Sequence, residues 1–466
     1  MYLEKFIDTP AKSTGWASMS EIGGSKGAVS GHWNEKHRFG GVVLYSNKGE
    51  SVIADGGNEC RHALIIGATG TGKSRLIIIP SLLYSLTAEE KRSYVIFDVK
   101  NELRPATLDT AVKMGYRVAH IDFRNPERSS AWNPLYRINK LYRDGSTAAV
   151  EKAAKLFENL VSTIFSDGRC TTLDPFWRIT SAGLFRGICS YLRHFNQDLS
   201  FQKVMQVTSN LPSDPDDDYK CKFLRDLEKL PETRQLMNGF LSGSQKTRGN
   251  VLSAYYSYLS PITSRSDVLN MISADNSLDF HEIGRTPTVL YISMPDDSLA
   301  LGALEGILLQ QLVQELNDVA LMSGGTLPVR TELYIDEMCN IHPPIPGMET
   351  QLTISRSRGM RYILAIQSYN QLVGLYGSAA ESIASNCSTW IALNVAKDET
   401  FREKLSALAG ENPLGRPLIT PTQLSRLKYG EAVIIRESCA PFFTHLDDLS
   451  AVQAQMRTET AVKTAF

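Results

Sequence analysis

The chain has 466 residues, 42% of them hydrophobic, and carries 49 basic against 50 acidic residues for a formal net charge of -1. That length allows two or three domains with sizeable cores, and the balanced charge neither requires nor forbids a polyanionic partner, because one surface of a neutral protein can be locally basic. Seven scattered cysteines and eight dispersed histidines, with no Cys-x-x-Cys pair, argue against a disulfide framework or a structural metal. No apolar run approaches the roughly eighteen residues of a membrane span, and Met1–Thr14 lacks the apolar centre of a signal peptide, so a cytoplasmic protein is expected.

In chain order, residues 1–60 read as an N-terminal flap, with Gly41–Ser46 and Ser51–Ala54 as a hairpin across Asn47–Glu50. The strand His62–Ile66 runs into Gly67-Ala68-Thr69-Gly70-Thr71-Gly72-Lys73-Ser74, the Gly-x-x-x-x-Gly-Lys-Ser pattern of a phosphate loop, and a helix follows that Pro80 should kink or shorten. In such a loop Gly67, Thr69, Gly70, Thr71 and Gly72 turn backbone N–H groups toward phosphate, Lys73 reaches the β- and γ-phosphates, and Ser74 ligates Mg²⁺. Strand Ser93–Asp98 ends in an acid, a helix from about Ala106 to Met114 follows, and then strand Tyr116–Ile121. Alternating strands and helices imply an α/β domain with a largely parallel sheet.

Strand signals nearly vanish from about Asn139 to Thr263, where Ala149, Ala153, Leu156, Leu160 and Ile164 recur at helical spacing and Asp174-Pro175 reads as a helix start. An all-α insertion at 145–265 within an α/β domain formed by 61–144 and 266–450 is the expected organisation. Tyr255, Tyr256 and Tyr258 in this insertion are candidates for partner surface or core packing. Thr288–Met294 restarts the sheet and a helix spans about Leu299 to Met322. Thr331–Ile335 then leads into Asp336-Glu337, Arg361–Ile366 ends at Gln367, and Thr389–Asn394 follows. A closing hairpin of Gly430–Ile435 and Pro441–His445 precedes a polar tail, 451–466.

Acids at strand ends can hold Mg²⁺, and Asp336 is the stronger candidate over Asp98 because Glu337 beside it can serve as general base for the attacking water. Two solvent-facing acids are the plain alternative. Gln367 fits a γ-phosphate sensor as well as a surface glutamine. Arg356, Arg358 and Arg361 form a basic cluster that supplies either an arginine finger for a neighbouring subunit or a solvated helix end.

Taken in order, His62–Leu83, Val95–Glu102, Asn133–Leu135, Asp174–Trp177, Leu333–Met338, Ser355–Gly359, Ile366–Leu372 with Tyr376-Gly377, and Gly430-Glu431 resemble the motifs of the type IV coupling proteins, from about residue 15 to 445. The resemblance implies a RecA-like P-loop NTPase domain, an inserted helical domain facing the substrate, and a homo-oligomeric ring, hexameric when active. It implies ATP and Mg²⁺ as cofactors, with Lys73 and Ser74 for nucleotide, Asp336 for Mg²⁺, Glu337 for hydrolysis, Gln367 as sensor and Arg356 as the finger, with Arg358 the competing choice. The implied function is an ATPase that passes DNA and its relaxase, the relaxosome, to a type IV secretion channel; a receptor for protein effectors is the alternative. Family members usually begin with membrane-spanning helices and this chain has none: either it belongs to a soluble subset held at the cytoplasmic face through a membrane-anchored channel component, or an anchor has been removed.

Overall fold

The continuous apolar runs of the sequence become strands buried on both faces, as a parallel sheet requires. The computed structural model describes residues 15–47, 51–57, 61–166, 174–275, 278–295, 301–342, 344–437 and 439–463, with side chains to 456. Met1–Thr14, residues 48–50, on which the expected hairpin connection falls, and the last three residues lie outside them.

Three strands, β1 (Ala28–His32), β2 (Gly41–Asn47) and β3 (Ser51–Gly56), form a small antiparallel sheet in the order β1-β3-β2, which contains the expected hairpin. The remaining strands are β4 (His62–Ile66), β5 (Ser93–Asp98), β6 (Arg117–Asp122), β7 (Thr288–Ser293), β8 (Thr331–Ile335), β9 (Met360–Ile366), β10 (Cys387–Ala392), β11 (Glu431–Arg436) and β12 (Phe442–His445). They make one nine-stranded sheet, β12-β11-β10-β4-β9-β8-β5-β7-β6. Neighbours are parallel from β10 to β6, and β11 pairs antiparallel with both β10 and β12 at the edge. This parallel order brings the C-terminal ends of β4, β9, β8 and β5 side by side, the usual place for a ligand site in an open α/β sheet.

Alternation along each strand sorts the side chains into two cores. Ala63, Ile65, Tyr334, Ile363 and Ala365 face one side with the helix Ile79–Leu86 and the small sheet, while Leu64, Ile66, Leu333, Ile335 and Leu364 face the other with the helices Thr147–Ile164, Gly302–Met322 and Met348–Arg358. Pro80 does not end its helix: Lys73–Ile78 is wound as a π-helix, and Pro80 lies in the first turn of the α-helical segment that continues it. A missing N–H is best tolerated in a first turn.

One carboxylate fastens the small sheet to the large one. Asp55 on β3 accepts from Arg361 of β9 at 3.1 Å, Arg436 of β11 at 2.8 Å and Thr389 of β10 at 2.6 Å, and all four side chains are buried. Within the small sheet, the chain entering β2 passes so close to β3 that a Cβ on Gly56 would lie 1.8 Å from the Gly40 carbonyl oxygen, so only glycine fits there. Arg361 is therefore a core ion-pair partner and leaves the exposed basic cluster in which the sequence reading put it.

Among the described residues no strand occurs between Asp122 and Thr288, and that stretch is built of helices such as Tyr136–Asp144, Thr147–Ile164, Pro175–His194 and Gln245–Thr263. Ser146, Asp174 and Ser244 cap three of them through their side-chain oxygens, which satisfies N–H groups that a helix start otherwise leaves unpaired. Tyr255 and Tyr258 are buried against Phe165, with ring centroids 6.1 and 5.3 Å away, so of the three tyrosines only Tyr256 reaches the surface. Spaced three apart, the two buried rings share one face of their helix, which is the core face. The end of the chain also differs from a polar tail: Leu449–Lys463 is helical, with Leu449 and Val452 buried.

Candidate active site

The phosphate loop is held from both flanking strands. Gly67 donates its N–H to the Ile366 carbonyl at the end of β9, and Ala68 donates to the Asn394 carbonyl beyond β10. Within the loop the Thr71 N–H and hydroxyl both bond the Ala68 carbonyl. Gly70 and Gly72 have φ of 82° and 96°, left-handed values open chiefly to glycine. These glycines turn the chain so that Lys73 and Ser74 begin the helix.

Lys73 is buried, donates to the Gly67 carbonyl at 2.8 Å and lies 3.5 Å from Glu337 Oε1. Burial pulls its pKa below the usual lysine value, against the opposing charges of Glu337 and Asp336. The structure thus brings together the two halves of the site predicted from separate stretches. Glu337 is buried and has φ of 59°, a conformation that costs a non-glycine residue of order 1 kcal/mol or more and concentrates at functional sites. Lys100, from the loop after β5, donates to the same Oε1 at 3.2 Å. Sequence reading gave Lys100 no role; its contact depends on β5 lying beside β8, and no local pattern reports that pairing.

Asp336 is buried, and neither carboxylate oxygen has a hydrogen-bond partner. Burial and the neighbouring Glu337 charge push its pKa up to about 7, against the pull of Lys100 and Lys73. A buried carboxylate with both oxygens unpaired carries a large desolvation cost, which a bound cation would remove, so Asp336 fits a Mg²⁺ ligand. Asp98 differs. Its oxygens accept the N–H groups of Glu102, Leu103 and Arg104 at 2.9–3.0 Å and cap the helix Leu103–Lys113. With its oxygens engaged there, Asp98 is a poorer candidate for a metal ligand than Asp336.

Gln367 meets the loop directly, its Oε1 accepting from the Thr69 hydroxyl at 3.0 Å. The next residues are locked down: Asp398 accepts from the Ser368 hydroxyl and Tyr369 N–H at 2.8 Å, from the Asn370 side chain at 3.1 Å and from the Phe401 N–H at 3.1 Å. Arg356 is exposed on the helix Met348–Arg358, whereas Arg358 is partly buried and donates to the Gly325 carbonyl at 3.1 Å. Of the two, Arg356 is the more exposed.

The family profile described as Type IV secretory system Conjugative DNA transfer matches residues 15–414. Among solved structures, the unbound bacterial conjugative coupling protein TrwBdeltaN70 is 19% identical, with 87% of this chain and 89% of that chain covered at a TM-score of 0.60. The plasmid coupling protein TrwB in complex with the ATP analogue ADPNP is 19% identical, with 84% and 86% covered at 0.61. TrwB in complex with the GTP analogue GDPNP is 17% identical, with the same coverage at 0.60. No curated protein matches the chain significantly in sequence. The likeness to these structures establishes the RecA-like P-loop NTPase fold. No helix among the described residues is long and apolar enough to cross a membrane.

Proposed function

The chain belongs to the type IV secretory system conjugative DNA transfer family, and from that premise we propose that it is the system's coupling ATPase, a ring-forming motor that receives a relaxase–DNA substrate and delivers it to a membrane-anchored secretion channel. The observation that carries the proposal is the convergence of Lys73 and Lys100 on buried Glu337, beside an Asp336 whose carboxylate has no partner of its own, with Gln367 bonded to the phosphate loop through Thr69. TrwB was solved with nucleotide analogues and with ADP and Mg²⁺; nucleotide binding by this chain is inferred from its own residues.

In this reading Ser74 and Asp336 would hold Mg²⁺, which would supply charge neutralisation at the phosphates. Lys73 exchanges the Gly67 carbonyl and Glu337 for phosphate oxygens. Glu337, released by Lys73 and still held by Lys100, orients a water and takes its proton. Gln367 registers the γ-phosphate through Thr69, and Arg356 acts on the nucleotide of the adjacent subunit. The helical stretch around 145–265, placed beside the sheet rather than in it, is proposed as the cargo-facing part.

The test is ATP hydrolysis by the wild-type chain and Lys73→Ala, with single- and double-stranded DNA over a salt series. Hydrolysis that DNA stimulates and salt suppresses, abolished in Lys73→Ala, is expected. Stimulation by protein cargo alone would favour the effector-receptor alternative, and hydrolysis undiminished in Lys73→Ala would overturn the site.

A further inference from the structure

We propose that Tyr429 is the stacking platform for the purine base of the nucleotide; the inference rests on the nucleotide-binding reading above and adds to it a subsite that the phosphate-loop motif does not contain. The phosphate loop accounts for phosphates, while the base needs an apolar face within a few ångströms of the loop's helical end. Tyr429 supplies one. Its ring lies against Gly72, the residue before Lys73, so closely that a Cβ on Gly72 would sit 2.8 Å from a ring carbon. Despite that contact the residue is 54% exposed. The other exposed aromatics among the described residues, Phe176, Phe195, Tyr219 and Tyr256, all belong to the helical stretch.

Two tethers fix the ring relative to the loop. Its hydroxyl donates to Asp448 Oδ2 at 2.6 Å, and the same carboxylate is gripped by Arg75, from the first turn of the helix that starts at Lys73, at 3.0 and 2.7 Å. On the backbone side, the Asn394 side chain donates to the Leu427 carbonyl at 2.7 Å, while the Asn394 carbonyl accepts the Ala68 N–H of the phosphate loop. Asn394 therefore fastens the phosphate loop and the segment bearing Tyr429 to one point. An aromatic ring held by its polar tip, with its body exposed beside a phosphate cradle, is preorganised to stack and loses little freedom on binding. Stacking reads no hydrogen-bond pattern, so the platform accepts any purine.

The experiment measures binding of Mg-ADP and of inorganic tripolyphosphate to the full chain by calorimetry, for wild type, Tyr429→Ala and Tyr429→Phe. From the usual strength of base–aromatic stacking, Tyr429→Ala should bind ADP roughly five- to a hundredfold more weakly. Its tripolyphosphate affinity should be unchanged, which also reports an intact loop, and Tyr429→Phe should keep most of its ADP affinity. Unchanged ADP binding in the alanine variant overturns the platform. So does equal loss of tripolyphosphate, which would make Tyr429 a packing residue for the loop, or a phenylalanine variant as weak as alanine, which would assign the effect to the hydroxyl. A wild-type chain that binds neither ligand overturns the phosphate-loop assignment itself, and the platform with it.

Discussion

His62 opens the strand that leads into the phosphate loop, and it is the place where acid should loosen the site. Its Nδ1 accepts the Tyr362 N–H at 3.0 Å and its Nε2 donates to the Leu352 carbonyl at 2.7 Å, so one neutral tautomer joins β4, β9 and the helix that carries Arg356. Burial, with the Arg361 and Arg356 charges nearby, lowers its pKa from 6.5 to about 4. A proton on Nδ1 would abolish the acceptor and add a buried charge. Because the folded value is depressed, the unfolded chain binds more protons in this window; the stabilisation is complete above pH 6.5 and is lost as pH falls toward 4. Between pH 7.5 and 5 the loss is roughly 2 kcal/mol. His62→Gln offers an amide that can accept and donate in the same sense without titrating. Urea unfolding followed by tryptophan fluorescence at pH 7.5, 6 and 5 should show the wild type losing roughly 2 kcal/mol more than the glutamine variant. Identical pH slopes for the two would refute the reasoning.

Glu337→Gln should retain ATP and hydrolyse it about 10²- to 10⁴-fold more slowly, since an amide cannot take the proton; single-turnover assays and binding separate the two, and loss of binding would make Glu337 structural. Arg356→Ala mixed with wild type should lower activity below simple dilution, because each missing finger silences a neighbour, whereas strictly proportional loss would confine Arg356 to its own subunit. Asp55→Asn removes one charge and leaves the Arg361 and Arg436 guanidinium groups buried without it, at a cost of about 3–5 kcal/mol in thermal or urea unfolding. A change below about 1 kcal/mol would deny that this carboxylate joins the sheets.

The phosphate loop was legible because its spacing is fixed along the chain, and Asp336-Glu337 because an acid pair ends an apolar strand. What stayed hidden depends on strand order. Lys100 reads as an ordinary loop lysine until β5 is set beside β8, and Arg361 reads as one of three surface arginines until β3 delivers Asp55 to it. Tyr255 and Tyr258 show the reverse: their helical spacing was visible, but which face of the helix met Phe165 was not. Asp98 and Asp336 are both acids at strand ends. The turn that follows Asp98 offers it three backbone N–H groups and consumes its oxygens, while Asp336 is left with none, a difference that lies in backbone geometry and leaves no mark in residue type.

The knot at Asp398 has a mechanical consequence. Gln367 touches the phosphate loop through a single hydrogen bond to Thr69, and one residue later the chain enters a carboxylate that grips Ser368, Tyr369, Asn370 and Phe401 together. In a linkage of that kind the compliant joint is the contact at the loop, and everything beyond it is stiffer. Displacement of Gln367 by an ångström would not be absorbed by a fraying turn; it would swing the helices Tyr369–Tyr376 and Glu399–Ala409 as one piece, a crank attached to the phosphate loop by its thinnest pin.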